Sequence, residues 1–227
     1  MENILEAKNV KRIFGKGTSA VYALQDVSLT IPKNRLVVLK GRSGSGKTTL
    51  LNLLGALDYP TEGDVIFEEQ RISGMTERER TLIRRKRMGF VFQSFGLLPL
   101  MSALENVEFG LRIAGVPRSE WKSRAMEALE SVGLDKRASH RPFEMSGGEQ
   151  QRCAIARAIA HRPRLILADE PTAELDSKMT MSISRMFSEY VRSESISIVM
   201  TTHDPAVMEV ADDVYALEDG TVIHAHT

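Results

Sequence analysis

An internal disulfide is beyond this chain, because it has a single cysteine, Cys153. One thiol also excludes a cysteine-rich zinc site, and it fits a reducing compartment. The run Arg152-Cys153-Ala154-Ile155-Ala156 has a helical pattern, so Cys153 reads as a small buried hydrophobe rather than a reactive thiol. Net charge is missing too: thirty basic and thirty acidic side chains cancel. No global field draws the chain to nucleic acid or to anionic lipid, and no nucleic-acid partner is expected. The longest basic cluster, Arg84-Arg85-Lys86-Arg87, reads as a solvated helix face. No apolar run approaches the roughly 18 residues of a membrane-crossing helix. The start, Met1-Glu2-Asn3-Ile4-Leu5-Glu6, is not a signal peptide. If the protein works at a membrane, another chain must hold it there. Internal repeats, low-complexity segments and an interdomain linker are also lacking. What remains is an ordinary globular composition, 42% hydrophobic and 26% charged over 227 residues.

Within that frame one stretch stands out, Gly41-Arg-Ser43-Gly44-Ser45-Gly46-Lys47-Thr48-Thr49. It lies between the apolar runs Leu36–Leu39 and Leu50–Leu54, so the order is strand, glycine-rich turn, helix. The spacing Gly41-x-x-x-x-Gly46-Lys47-Thr48 fits the P-loop, or Walker A, pattern. The glycines let successive N–H groups curl around a phosphate, and the helix that follows adds its positive end. Lys47 reaches the β- and γ-phosphates, and the Thr48 hydroxyl ligates Mg²⁺.

Alternation of apolar and polar residues predicts antiparallel strands over Ile4–Val10 and Ala23–Ile31, joined at Gly15–Thr18. Phe14, just before that turn, is either a base-stacking aromatic or a core residue. Asp58–Asp64 reads as a loop, Val65–Phe67 as a strand, Thr76–Lys86 as a helix, and Met88–Phe92 as a strand ending in Gln93. From 94 to 160 the pattern turns helical: Ser102–Ile113, Arg118–Val132, and Gln150–Ala160 after Ser146-Gly147-Gly148-Glu149. Three helices without intervening strands imply a helical subdomain inserted in an α/β core formed by 1–93 and 161–227. The core resumes with Leu165–Ala168, Lys178–Arg192, Ile196–Met200, and a closing hairpin about Asp219-Gly220.

Parallel strands deliver their carboxyl ends to one edge. That edge then holds the phosphate cradle, the carboxylates Asp169 and Glu170, and His203. Asp169 fits the Walker B position that holds Mg²⁺. Glu170 is placed to orient and deprotonate a water, and His203 to touch the γ-phosphate or hold that water in line. The Ser146-x-x-Glu149 spacing is a capping box, and a Ser-Gly-Gly helix start is also a second phosphate-binding end.

Taken together, Gly41–Thr48, Gln93, Ser146-Gly147-Gly148-Glu149-Gln150, Leu165–Glu170, Asp176 and His203 resemble the nucleotide-binding subunit of an ABC transporter across essentially the whole chain. The resemblance implies a RecA-like P-loop core with an N-terminal antiparallel β-subdomain and an inserted α-helical subdomain, making one ABC ATPase domain over 1–227. It implies two copies sandwiching two ATPs, each between the P-loop of one copy and the Ser146 helix start of the other. Phe14 then takes the adenine-stacking place, Gln93 senses Mg²⁺ and the membrane partner, Glu170 is the base, His203 the switch, and Asp176 the D-loop aspartate. Gly55–Val65 and Ala168–Thr172 resemble the macrolide-export and lipoprotein-release group, whose ATPases drive separate integral-membrane permeases from the cytoplasmic face. The segment Phe95–Met101 falls where the family contacts its permease; the other reading of its leucines is subdomain core. The departures are Met145 and Glu149 at the two ends of the signature, and Glu174 in the D-loop. A family member that regulates a permease-like partner without transport is the alternative. A GTPase would carry an Asn-Lys-x-Asp signature, which the chain lacks.

Overall fold

A computed structural model describes residues 2–173 and 175–225. The chain opens with two long strands, β1 (Asn3–Phe14) and β2 (Val21–Pro32), paired antiparallel from Asn3 opposite Pro32 to Phe14 opposite Val21. Next come β3 (Leu36–Lys40) and α1 (Lys47–Leu54). Two further strands, β4 (Glu62–Phe67) and β5 (Gln70–Arg71), lead to α2 (Glu77–Arg87) and β6 (Met88–Val91). The helical stretch contains α3 (Ala103–Ala114), α4 (Arg118–Ser131) and α5 (Gly147–Ile159). The remainder is β7 (Leu165–Ala168), α6 (Ser177–Glu194), β8 (Ser197–Thr202), α7 (Pro205–Met208), β9 (Asp213–Glu218) and β10 (Thr221–Ala225).

Among the described residues these strands form two sheets. One is antiparallel, in the order β2-β1-β4-β5. The other runs β10-β9-β3-β8-β7-β6, parallel from β9 to β6, with β10 added as an antiparallel edge strand. Every residue of β7 and β8 is buried, which accounts for the unbroken apolar run of β7 and the apolar centre Ile198–Met200 of β8.

Alternate residues of the parallel strands serve two cores. Val37, Leu39, Leu165, Leu167 and Val199 face α1 and the antiparallel sheet. Leu36, Val38, Ile166, Ile198 and Met200 face the other way, into one cluster with α3, α4, α5 and α6. The period of two along each strand therefore divides the molecule into two layers about one sheet. Burying Leu50, Leu51, Leu53 and Leu54 of α1 contributes on the order of 1.5–3 kcal/mol per side chain.

Local signals set the helix boundaries. Ser102 caps α3 and Thr76 caps α2, each in a reciprocal box with the glutamate three residues on. Gly115, left-handed at φ 81°, stops α3. The basic cluster at the end of α2 only partly behaves as a solvated face. Arg85, Lys86 and Arg87 are exposed, but Arg84 turns inward to the Ala56 carbonyl at 2.5 Å. Arg85 Nε donates to the Ile113 carbonyl at 2.6 Å, which ties α2 to the end of α3. Within Phe95–Met101 the leucines divide: Leu97 packs against the core, while Leu100 stands 81% exposed.

Candidate functional site

Strand β3 ends at Lys40 and helix α1 begins at Lys47, so Gly41–Gly46 forms the loop between them. Gly46 caps α1 at φ 104°, and a Cβ there would lie 2.6 Å from the Ala23 carbonyl oxygen. Only glycine meets both demands. Ser43 and Gly44 are exposed and Ser45 is buried. The loop borders a cleft of about 630 Å³ lined also by His203 and Asp219, within the range of small-molecule sites.

Lys47 is only 6% exposed. A buried ammonium needs partners. It donates to the carbonyls of Gly41 (2.9 Å) and Arg42 (3.2 Å) and lies 3.5 Å from Glu170 Oε1. An entering phosphate would offer it a stronger, charge-assisted acceptor. Thr48 is exposed, and its hydroxyl donates to Asp169 Oδ1 at 3.2 Å; Thr49 is half-buried behind it. A hydroxyl from the start of α1 and a carboxylate oxygen from the end of β7 thus converge.

Thr201, fully buried at the end of β8, joins the two acidic residues. Its hydroxyl donates to Asp169 Oδ1 at 2.7 Å and accepts from the Glu170 amide at 2.8 Å. Glu170 has φ 42°, a left-handed backbone that costs a non-glycine residue on the order of 1 kcal/mol. The Thr201 bond and the neighbouring strands hold it there. Glu170 Oε2 lies 3.7 Å from His203 Nδ1, and the His203 side chain is 70% exposed. Behind this pair is a cavity of about 190 Å³, lined by Thr172, Leu175, Thr202 and Asp204. The structure therefore brings Lys47, Thr48, Asp169, Glu170 and His203 together, as the parallel strand ends require.

Gln93 is exposed, two residues past the end of β6, at the same sheet edge. The Asp169 amide donates to the Val91 carbonyl at 2.9 Å, so β6 and β7 are aligned where these side chains leave. Phe14 ends β1, 42% exposed, with the Arg12 guanidinium 4.4 Å from its ring centroid. That exposure rules out the core reading.

The signature segment lies elsewhere. Ser146 is exposed and caps α5: its hydroxyl accepts from the Glu149 amide (3.3 Å), and its own amide donates to Glu149 Oε2 (2.8 Å). The bond from the Ser146 amide holds the Glu149 carboxyl below the usual carboxylate range, and Arg137 balances its charge at 3.1 Å. A Cβ on Gly147 would meet the Phe95 ring at 3.9 Å, and one on Gly148 would meet Met179 at 2.6 Å. Asp176 caps α6 by accepting from the Met179 amide at 2.9 Å. Among the described residues, none of Ser146, Gly147, Gly148 and Glu149 lines the cleft at the P-loop. Glu174 lies outside the described residues.

Two site residues escape the sequence patterns, Thr201 and Arg157. The Arg157 guanidinium donates to the carbonyls of Gly96 (2.5 Å) and Phe95 (2.9 Å), fastening the segment after Gln93 to α5. Both carbonyls belong to residues with positive φ, Phe95 at 56° and Gly96 at 58°. The polar pair Thr201-Thr202 at the end of an apolar strand was a legible signal for the first. An arginine inside a helix gave none for the second.

A family description, "ABC transporter", matches residues 24–173. The chain is 43% identical over 220 residues to an uncharacterized ABC transporter ATP-binding protein, MJ1508 of Methanocaldococcus jannaschii, covering 97% of this chain and 98% of that protein. It is 43% identical over 218 residues to the lipoprotein-releasing system ATP-binding protein LolD of Acinetobacter baylyi, covering 96% of each. Among solved structures, MJ0796 of M. jannaschii, in a dimeric post-hydrolysis state bound to ADP and Pi, superposes with a TM-score of 0.89 at 41% identity over 96% of each chain.

Proposed function

This chain belongs to the ABC transporter family, and we propose that it is the ATP-hydrolysing subunit of a machine that exports a substrate or extracts it from a membrane. One observation carries the reading. The cluster Lys47–Thr48–Asp169–Glu170–His203 surrounds a phosphate cradle, whereas the second phosphate-binding helix start, at Ser146, lies outside the cleft. A site divided in this way is completed by a second copy. Each ATP then lies between Gly41–Thr49 of one protomer and Ser146, Gly147 and Gly148 of the other, with Asp176 at the seam between them.

In this reading Lys47 leaves its loop carbonyls for the β- and γ-phosphates. Glu170, relieved of Lys47, accepts a proton from the attacking water. His203, exposed at the surface, holds the γ-phosphate side of the same assembly. Thr48, Asp169 and Gln93 supply hydroxyl, carboxylate and amide oxygens, a hard donor set that suits Mg²⁺. Mg²⁺, when bound, neutralises charge on the β- and γ-phosphates. Phe14 stacks on the adenine.

We assign the chain to a single ATPase unit, with 94–160 as its helical subdomain. Among the described residues no helix is long and apolar enough to cross a membrane. In this reading separate permease subunits hold the protein peripherally at the cytoplasmic face. The similarity to LolD, and 40% identity over 222 residues to MacB of Syntrophobacter fumaroxidans, support the export and extraction group. That match covers 97% of this chain but 31% of the larger ATP-binding/permease protein. A Glu170→Gln variant should bind ATP as the parent does and lose turnover by about a thousand-fold or more. Hydrolysis at the parent rate would remove Glu170 from the role of base.

A further inference from the structure

The segment after α1 has a task that the ATPase chemistry leaves unassigned. Asp58 grips Arg12 with both oxygens: Nε to Oδ2 at 2.8 Å and Nη2 to Oδ1 at 2.9 Å. Such a two-pronged pair fixes orientation as well as distance. Three residues on, Thr61 secures the same strand. Its hydroxyl accepts from the Ile13 amide at 3.0 Å, and its amide donates to the Lys11 carbonyl at 2.7 Å. Glu62 then accepts from Lys11 Nζ at 2.7 Å. Residues 11, 12 and 13 are thus each tied to 58–62, just before Phe14.

Both ends of this clamp rest on elements that flank the phosphate loop. Asp58 and Leu57 donate their amides to the Asn52 carbonyl of α1, the helix that begins at Lys47. Arg12 stands opposite Leu24 in the sheet, and Leu24 Cδ2 lies 3.0 Å from where a Cβ on Gly46 would sit. Behind Asp58 its carbonyl accepts from Arg80, whose guanidinium lies 3.5 Å from the Tyr59 ring centroid. The Arg12 guanidinium covers one face of Phe14 at 4.4 Å, so the exposed area of that ring lies on the rest of it.

We propose that Arg12 and Asp58 form a clamp that presets the Phe14 ring for the base of the nucleotide, making Arg12 a positioning residue for base recognition. The proposal rests on the reading of Phe14 as the adenine-stacking residue. A ring fixed before binding loses less freedom when the base arrives, and the gain appears in affinity for the base alone. The phosphates are held by other groups, so their affinity does not depend on the clamp.

The test is calorimetric titration of the full chain, in the Glu170→Gln background, with Mg-ATP and with inorganic tripolyphosphate. Phe14→Ala should weaken ATP by about five-fold to a hundred-fold and leave tripolyphosphate within about two-fold. Arg12→Gln should weaken ATP by roughly two-fold to ten-fold, again without effect on tripolyphosphate. Asp58→Asn should act in the same direction, and Arg12→Gln added to Phe14→Ala should change little further. Loss of ATP affinity in Phe14→Ala but not in Arg12→Gln or Asp58→Asn overturns the clamp while leaving base stacking intact. Equal weakening of both ligands by Arg12→Gln also overturns it, since Arg12 would then serve the phosphates or the fold. No effect of Phe14→Ala on ATP would instead remove the stacking reading, and the clamp with it.

Discussion

Thr201 shows how one hydroxyl can set two carboxylates. It is fully buried, donates to Asp169 and accepts from the Glu170 amide, and so fixes the strained backbone that directs Glu170 toward Lys47 and His203. Replacing it with valine keeps the volume and removes both bonds. We expect Thr201→Val to lower kcat by about ten-fold to a hundred-fold, the scale of a hydrogen bond to a charged group. ATP affinity should stay within a few-fold, because Lys47 and the loop amides remain. An unchanged kcat would mean that the strands alone position Glu170. Cys153 offers a residue-scale test of burial. Removal from water pushes its thiol up from 9.0 to about 11. The unfolded chain therefore ionises first, so this contribution is complete below about pH 9 and is lost as pH rises toward 11, by about 1.4 kcal/mol per unit. Denaturant unfolding of the parent and of Cys153→Ala should show a stability difference that falls through that window. A constant difference would contradict the buried placement.

At the scale of elements, the sequence was most legible where one physical demand dominated. Glycine spacing, apolar runs and capping boxes placed the P-loop, β7, β8 and α3 to within a residue or two. What it concealed were long-range polar contacts. Nothing local marks Asp58 as the partner of Arg12, or Arg157 as the anchor of Phe95 and Gly96, because such pairs form only once the layers stack. The two-residue strand β5 and the one-turn helix α7 are too short to carry a period. Phe14 stayed open in the sequence for a related reason: an aromatic at a strand end fits either core or surface, and only its 42% exposure decides. Arg157 gives an element-scale prediction. Burial holds its guanidinium below the usual arginine range, and its two carbonyl bonds join α5 to the segment past Gln93. Arg157→Met should keep the helix packed while freeing that segment. Hydrogen exchange of amides 94–97 should then accelerate by about ten-fold or more, with the α5 amides little changed. Unchanged exchange at 94–97 would mean that other contacts hold the segment.

At the scale of the whole molecule, one sheet separates two cores, and its carboxyl edge gathers Lys47, Asp169, Glu170 and His203. Helix α5, like the other inserted helices, shares a core with one face of that sheet. Its capped start at Ser146 is nevertheless exposed and away from the cleft. On the proposed reading, that arrangement makes hydrolysis a property of two copies. The most direct measurement is sedimentation of Glu170→Gln with saturating Mg-ATP, beside the same protein carrying Ser146→Arg. We predict a dimer for the first with ATP and a monomer without it, and a monomer that still binds ATP for the second. A Glu170→Gln chain that stays monomeric with ATP bound, or a Ser146→Arg variant that dimerises as well as its parent, would contradict the account.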